Sequence, residues 1–145
     1  MRLAVLGKGD HAEQLKEKVR ELGLEDQIIF MGHQDPHPFF HFSRFSIVSS
    51  LCEPFGLITL ESWLHKKAVV AFDVPAINEV IENNVNGILV EPFNINELAK
   101  KIIFMFENSG TCSKMGEKGY EKSLQEYNLK KMTAEYMSVY NEVMS

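Results

Sequence analysis

Glu53 and Glu61 are the residues of this sequence best placed to do chemistry. They stand eight positions apart in Ser49-Ser50-Leu51-Cys52-Glu53-Pro54-Phe55-Gly56-Leu57-Ile58-Thr59-Leu60-Glu61. Pro54 and Gly56 hold a sharp entry into a helix that begins near Gly56, and a helix start presents free backbone N–H groups and a positive dipole end. An anion such as a diphosphate suits that position. Glu53, just ahead of the helix, reaches a group beyond the phosphates. Glu61, more than one turn inside, can accept hydrogen bonds from hydroxyls on the nearer side. Taken alone, such a pair is more often one solvated helix residue and one helix-start carboxylate. A second place with the right composition is Gly7-Lys8-Gly9-Asp10. Gly-x-Gly lets the backbone approach a phosphate, yet position 12 is Ala where a dinucleotide fingerprint has its third glycine, so a plain strand-to-helix turn is the better reading. His33, His37 and His41 recur at intervals of four across two prolines, which reads as loop histidines and not as a metal set.

These groups need elements to position them. Leu3–Leu6 reads as a buried strand running into the Gly7 turn, and Leu15, Val19 and Leu22 mark an amphipathic helix stopped by Gly23. Further strands are expected at Gln27–Met31, Phe45–Ser49, Ala68–Phe72 and Gly87–Val90, with helical segments at about Gly56–Leu64 and Ala76–Glu82. Apolar strands alternating with helices predict a parallel sheet of about five strands with helices on both faces, Rossmann-like in outline. Asn94 caps a helix running to about Glu107, and Gly110 ends that pattern. Two more helical segments follow, Cys112–Glu126 and Leu129–Met144, the last with an apolar stripe of Met132, Tyr136, Val139, Tyr140 and Val143 that is expected to pack on the sheet. No repeat or linker interrupts residues 1–145, so one domain is expected.

Composition narrows the function. The 145 residues carry 15 Lys+Arg against 20 Asp+Glu, a net charge of -5, which excludes a general nucleic-acid binder. Of the adjacent basic pairs Lys66-Lys67, Lys100-Lys101 and Lys130-Lys131, two lie in helical stretches and read as solvated faces. Cys52 and Cys112 form no metal or disulfide pattern, which fits a reducing compartment. The N-terminal apolar run is too short for a signal peptide and no stretch is long enough to span a membrane, so a soluble cytoplasmic protein is expected.

The stretch Glu53-Pro54-Phe55-Gly56-Leu57…Glu61 resembles the Glu-x7-Glu signature of the retaining glycosyltransferases of the group 1 family, whose GT-B architecture sets two Rossmann-like domains face to face. The resemblance continues in order along the chain. Val5-Leu6-Gly7-Lys8-Gly9 is similar to the family's strand and Gly-x-Gly turn, and Ile29-Phe30-Met31-Gly32 to its next strand end. Val69-Val70-Ala71-Phe72-Asp73, Ile77-Asn78-Glu79-Val80-Ile81 and Asn86-Gly87-Ile88-Leu89-Val90 resemble later family segments, and Tyr127 with the following helix resembles its C-terminal end. Ser49, Lys66, Ala68 and Asn78 depart from it, Lys66 standing where the family usually has Gly. None of these removes a carboxylate. The family's opening strand, its Gly-Arg and its helix-borne Lys have no counterpart before Leu3, and Lys8 does not inherit that role.

What the resemblance implies is the donor-binding half of a GT-B enzyme that uses a nucleotide-diphosphate sugar in polysaccharide biosynthesis, with no cofactor and no metal. Backbone near Gly32 and His33 would hold the base, with the Gly7 and Gly9 turn beside the donor. Glu61 would accept from ribose hydroxyls, the N–H groups of Phe55, Gly56 and Leu57 would hold the phosphates, and Glu53 would be the catalytic carboxylate against the donor sugar. The acceptor, a saccharide or a lipid-linked saccharide, would be held by a domain these residues do not include, and the resemblance allows a full-length enzyme at the cytoplasmic face of the membrane. The chain alone is therefore expected to be inactive. Two other readings stay open: a non-catalytic nucleotide-sugar-binding subunit that works with a partner chain, and an epimerase-like relative. The family's 3-2-1-4-5-6 strand order would leave an empty slot between Leu3–Leu6 and Phe45–Ser49. Either those strands close up and pair, or another segment fills the gap, and the open apolar edge favours self-association.

Overall fold

Each apolar run of the sequence becomes a strand in the computed structural model, which describes residues 1–144. In chain order the elements are β1 (Leu3–Leu6), α1 (Ala12–Glu21), β2 (Ile28–Gly32), α2 (His37–Phe42), β3 (Phe45–Val48), α3 (Leu57–Leu64), β4 (Ala68–Phe72), α4 (Ile77–Val80), β5 (Gly87–Val90), α5 (Ile95–Glu107), α6 (Ser109–Glu126) and α7 (Leu129–Met144). The chain divides into two compact units, Met1–Phe39 and the residues from Phe40 onward. In the first, β1 and β2 pair in parallel from Leu3↔Ile28 to Val5↔Phe30, with a register shift before Leu6↔Gly32. In the second, β3, β4 and β5 form a three-stranded parallel sheet in that order.

The strands are parallel with helices between them, as the sequence indicates, but the expected single sheet is divided. The five strands fall into sheets of two and three, and no strand pair joins β1 to β3. The expected direct pairing of Leu3–Leu6 with Phe45–Val48 is therefore not found among the described residues. The reason lies in their partners: β1 bonds only to β2 and β3 only to β4, so each keeps one open edge. Burial follows the same division. All five residues of β4 are buried, whereas Leu3 and Ala4 of β1 are exposed.

The core belongs to the second unit. Trp63, Val69, Val70, Ile77, Ile88 and Met105 are all but inaccessible to solvent. Trp63 Nε1 donates to the carbonyl of Asn86 at 3.0 Å, and the buried Asn86 side chain accepts from the Glu82 amide at 2.9 Å, so these two polar groups of the core find partners. Helix α6 lies close against α3 and β4 because two of its residues lack side chains. A Cβ on Gly116 would meet the backbone carbonyl of Lys66, and one on Gly119 would meet the Trp63 ring.

Helix termini follow the sequence in part. Asn94 caps α5 as expected, its Oδ1 accepting from the Glu97 amide at 3.1 Å. Gly110 does not separate the helices. Helix α5 ends at Glu107, α6 already starts at Ser109, and Gly110 sits in its first turn, where a missing Cβ is tolerated because nothing lies near. The stretch expected as a histidine loop contains the short helix α2. The stripe on α7 is also corrected. The helix forms over Leu129–Met144, yet none of its residues is buried, and Tyr136, Val139, Tyr140 and Val143 are exposed. The pattern is amphipathic, but no sheet of the described residues covers it.

The glycines of α6 yield a stability test. Alanine is the better helix former by about 1 kcal/mol, so Gly110→Ala, with open space around it, should be neutral or mildly stabilising. Gly116→Ala should instead destabilise by roughly 1–3 kcal/mol through overpacking against rigid backbone. Denaturant melts of the two variants decide it, and equal midpoints would show that α6 does not pack on β4 as described.

Candidate functional site

The C-terminal ends of β3 and β4 lie at the same edge of their parallel sheet, and the chain leaving each supplies one wall of a cavity of about 330 Å³. From the β3 side come Glu53, Pro54 and Phe55, and from the β4 side Pro75, Ala76 and Glu79. Tyr127, at the C-terminal end of α6, completes the lining, its ring edge-on to Phe55 at 6.3 Å between centroids. Burial pushes the Tyr127 phenol above its ordinary range, and the charges of Glu126 and Glu79 add to this, so it stays a neutral hydroxyl able to donate.

Helix α3 starts beside this cavity. Its N-cap, Gly56, has φ of 79°, a left-handed conformation that side chains disfavour, and a Cβ there would stand 2.8 Å from Ile77 Cδ1. The backbone conformation favours glycine, and a side chain there would also displace the end of Ile77. No side chain caps α3 and its first turn holds no carboxylate, so its leading N–H groups, Leu57 foremost, are open to an anion. Beneath the same turn lies Thr59 Oγ1, buried and without a hydrogen-bond partner among the described residues.

Neither Glu53 nor Glu61 is committed elsewhere. No ion pair or side-chain hydrogen bond among the described residues engages either carboxylate, although both residues are half-buried. Glu61 lies four residues beyond Leu57, about 6 Å along the helix axis, and its carbonyl is 2.9 Å from His65 Nδ1. Of the residues singled out from the sequence, Glu53 and Phe55 line the cavity, with Gly56 and Leu57 next along the chain, while Glu61 is not among the lining residues.

The first unit holds the remaining sequence candidates. Gly7 and Gly32 meet where β1 and β2 end: the Gly7 amide donates to the Gly32 carbonyl at 2.7 Å, and both have positive φ, 137° and 68°. Gly9 accepts from the Ala12 amide at 3.0 Å, which makes Gly7–Gly9 the entry turn to α1. His33 follows Gly32 and is exposed. Among the described residues no cluster of His, Cys, Asp or Glu is arranged to hold a metal, and no helix is long and apolar enough to cross a membrane.

Glu79 and Tyr127 are among the lining residues not singled out from the sequence as part of a site. Glu79 was legible in principle, because it follows the C-terminal end of a parallel strand, where ligands of such sheets bind. Tyr127 carried no local signal. It arrives from a helix terminus more than 70 residues beyond Glu53 and only folding brings the two together.

Comparison with known proteins assigns the family. Residues 1–122 match the family described as Glycosyl transferases group 1. The poly(ribitol-phosphate) alpha-N-acetylglucosaminyltransferase of Staphylococcus aureus is 26% identical over 139 residues, covering 94% of this chain and 28% of its own length. A solved structure of a mutant of S. aureus TarM, in complex with fondaparinux, alpha-GlcNAc-glycerol and UDP, superposes with a TM-score of 0.91 at 25% identity, over 97% of this chain and 29% of that one. The C-terminal domain of a glycosyl transferase group 1 family protein (LpcC) from Francisella tularensis superposes with a TM-score of 0.75 at 31% identity, over 83% of this chain and 64% of that one. The fold is that of the C-terminal half of a GT-B glycosyltransferase, and the chain spans well under half the length of the first two proteins. With its family pattern running through both the Gly7 turn and the Glu53…Glu61 segment, this chain belongs to the group 1 glycosyl transferases.

Proposed function

We propose that these residues form the donor-binding domain of a retaining glycosyltransferase that takes a nucleotide-diphosphate sugar. The observation that carries this reading is the start of α3: an uncapped helix N-terminus at a left-handed glycine, with two uncommitted carboxylates, Glu53 before it and Glu61 within it. The diphosphate docks on the N–H groups of Phe55, Gly56 and Leu57, where the helix dipole favours negative charge. Glu61 accepts from the ribose hydroxyls, two donors matching the two oxygens of one carboxylate. Glu53, in the cavity, lies against the donor sugar and stabilises positive character at the anomeric carbon. Support comes from the UDP bound in the TarM complex, a protein of the same fold at 25% identity.

Retention of configuration at the anomeric carbon proceeds either through a carboxylate nucleophile or by front-face attack, the leaving phosphate taking the acceptor's proton. Front-face attack is the mechanism proposed here, with Glu53 as an electrostatic partner. The acceptor, a saccharide or lipid-linked saccharide, is held by the remainder of a longer enzyme or by a partner chain. The length of the relatives supports this, since the chain spans 28% of the S. aureus enzyme.

Glu61→Ala should weaken UDP binding by roughly 1.5–3 kcal/mol, the range for hydrogen bonds to a charged group. Glu53→Ala should leave UDP affinity nearly unchanged and weaken only the sugar-bearing donor. Titration calorimetry of wild type and both variants is the test, and an unaltered UDP affinity in Glu61→Ala would remove Glu61 from the site.

Transfer requires an acceptor held at attacking distance in a water-excluding cleft. The purified 145-residue chain should therefore show no transfer to any saccharide or lipid acceptor, and turnover by the chain alone would overturn the division of labour. Recovery of transfer on adding an acceptor-domain chain distinguishes a separated half-enzyme from a subunit that only binds.

The open edges of β1 and β3 and the exposed apolar face of α7 are surfaces that water disfavours. The isolated chain should self-associate with rising concentration in sedimentation velocity. A monodisperse monomer throughout the range would reject this.

A further inference from the structure

The basic pair Lys66-Lys67 lies at the opposite end of the three-stranded sheet from Glu53. Lys67 immediately precedes β4 and Arg44 immediately precedes β3, and because Phe45 is paired with Ala68 the two cations enter the sheet side by side. With Lys66 they line a cavity of about 250 Å³ whose other walls are Ser43, Ser109, Cys112 and Ser113. No carboxylate lies within ion-pair distance of any of the three cations among the described residues.

Part of this charge has a structural use. Arg44 Nη1 donates to the Phe106 carbonyl at 2.8 Å with its guanidinium 4.6 Å over the Phe106 ring, and Lys66 Nζ lies 5.1 Å over the Tyr120 ring. The remaining guanidinium donors of Arg44 and the ammonium of Lys67 have no partner among the described residues. The buried Cys112 thiol, which donates to the Arg44 carbonyl at 3.4 Å, senses both: burial pushes it up, while the charges of Arg44 and Lys67 draw it down. Lys66 adds a backbone argument. Its φ is 56°, a left-handed conformation where glycine would be the unstrained residue, so the position bears a cation against its own backbone preference.

We propose that this cavity is a second, phosphate-binding site, remote from the donor cavity, in which Arg44, Lys66 and Lys67 hold a phosphate group and Ser109 and Ser113 donate hydroxyl hydrogen bonds to it, while Ser43 Oγ donates to the Phe40 carbonyl at 3.1 Å and shapes the wall. Three cations lining one cavity without a counter-charge suit a tetrahedral dianion, which accepts charge-assisted bonds from several donors at once. A soluble phosphomonoester and a lipid phosphate headgroup present the same chemistry to the site.

The test titrates the 145-residue chain with inorganic phosphate, then with glycerol 3-phosphate, against chloride at matched ionic strength, following backbone amides by NMR. The expected result is saturable shifts centred on Ser109–Ser113 and on Lys66-Lys67. Lys67→Ala and Lys66→Gly should each weaken binding by about fivefold or more, the loss of one charge-assisted contact, while Lys130→Ala leaves it unchanged. Lys66→Gly relaxes the backbone and keeps the fold, so its loss of binding cannot be ascribed to unfolding. Cosedimentation with phosphatidylcholine vesicles with and without phosphatidylglycerol separates the sources. Capture by the anionic vesicles that is lost in the same variants assigns the site to a headgroup, and tighter glycerol 3-phosphate binding without capture assigns it to a soluble ligand. Absence of saturable phosphate binding, equal affinity in the variants, or shifts confined to Phe55–Leu57 would overturn the proposal.

Discussion

Strand β4 is buried along its whole length, and that constraint organises the whole second unit. A buried strand must satisfy every backbone group through its neighbours, because an unpaired buried amide or carbonyl costs about 1–3 kcal/mol. The ladders to β3 and β5 do this, and they fix the register residue by residue from Phe45↔Ala68 to Phe72↔Val90. Once the register is set, both ends of the sheet are set too. The chain leaving β3 and β4 delivers Glu53, Phe55, Ala76 and Glu79 to one cavity, and the chain entering them delivers Arg44 and Lys67 to the other.

Holding β4 dry also requires helices on it, and here the sequence gives up side chains to gain closeness. Gly116 lets α6 approach the Lys66 carbonyl, Gly119 makes room for the Trp63 ring, and Trp63 bonds across to Asn86. Asn86 in turn caps the turn before β5, while a Cβ on Gly87 would press on the Val69 carbonyl at 2.8 Å. The packing of α6 therefore bears on the site at one remove, since its C-terminal residue, Tyr127, lies edge-on to Phe55.

Local order was legible where one residue decides it. Ala68–Phe72, Gly87–Val90 and Leu129–Met144 are bounded by clear changes of period, and Asn94 announces its helix. The start of α3 was readable because Gly56 and its two flanking glutamates form one continuous segment. What was not legible depends on partners distant in sequence. The apolar stripe of α7 looks the same whether or not something covers it, and the periodicity of Leu3–Leu6 does not say that its sheet holds only two strands. Gly110 misled for a related reason: a glycine is a helix stop only where the backbone turns left-handed, and here Asn108 ends α5 one residue before α6 begins.

The two ends of α3 show how the same backbone conformation can be met in different ways. At Gly56 the left-handed turn coincides with a close approach by Ile77, so glycine is favoured, and the bare turn leaves the helix N-terminus open. At Lys66 the turn is again left-handed but the side chain has room, and a residue other than glycine there costs about 1–2 kcal/mol. A cation just past a helix C-terminus recovers roughly 0.3–1 kcal/mol from the dipole, and its position over Tyr120 roughly 0.5–1 kcal/mol more. The terms nearly cancel, so folding stability is almost indifferent between lysine and glycine at this position. A charge that stability neither demands nor forbids leaves the Lys66 ammonium group compatible with a binding role.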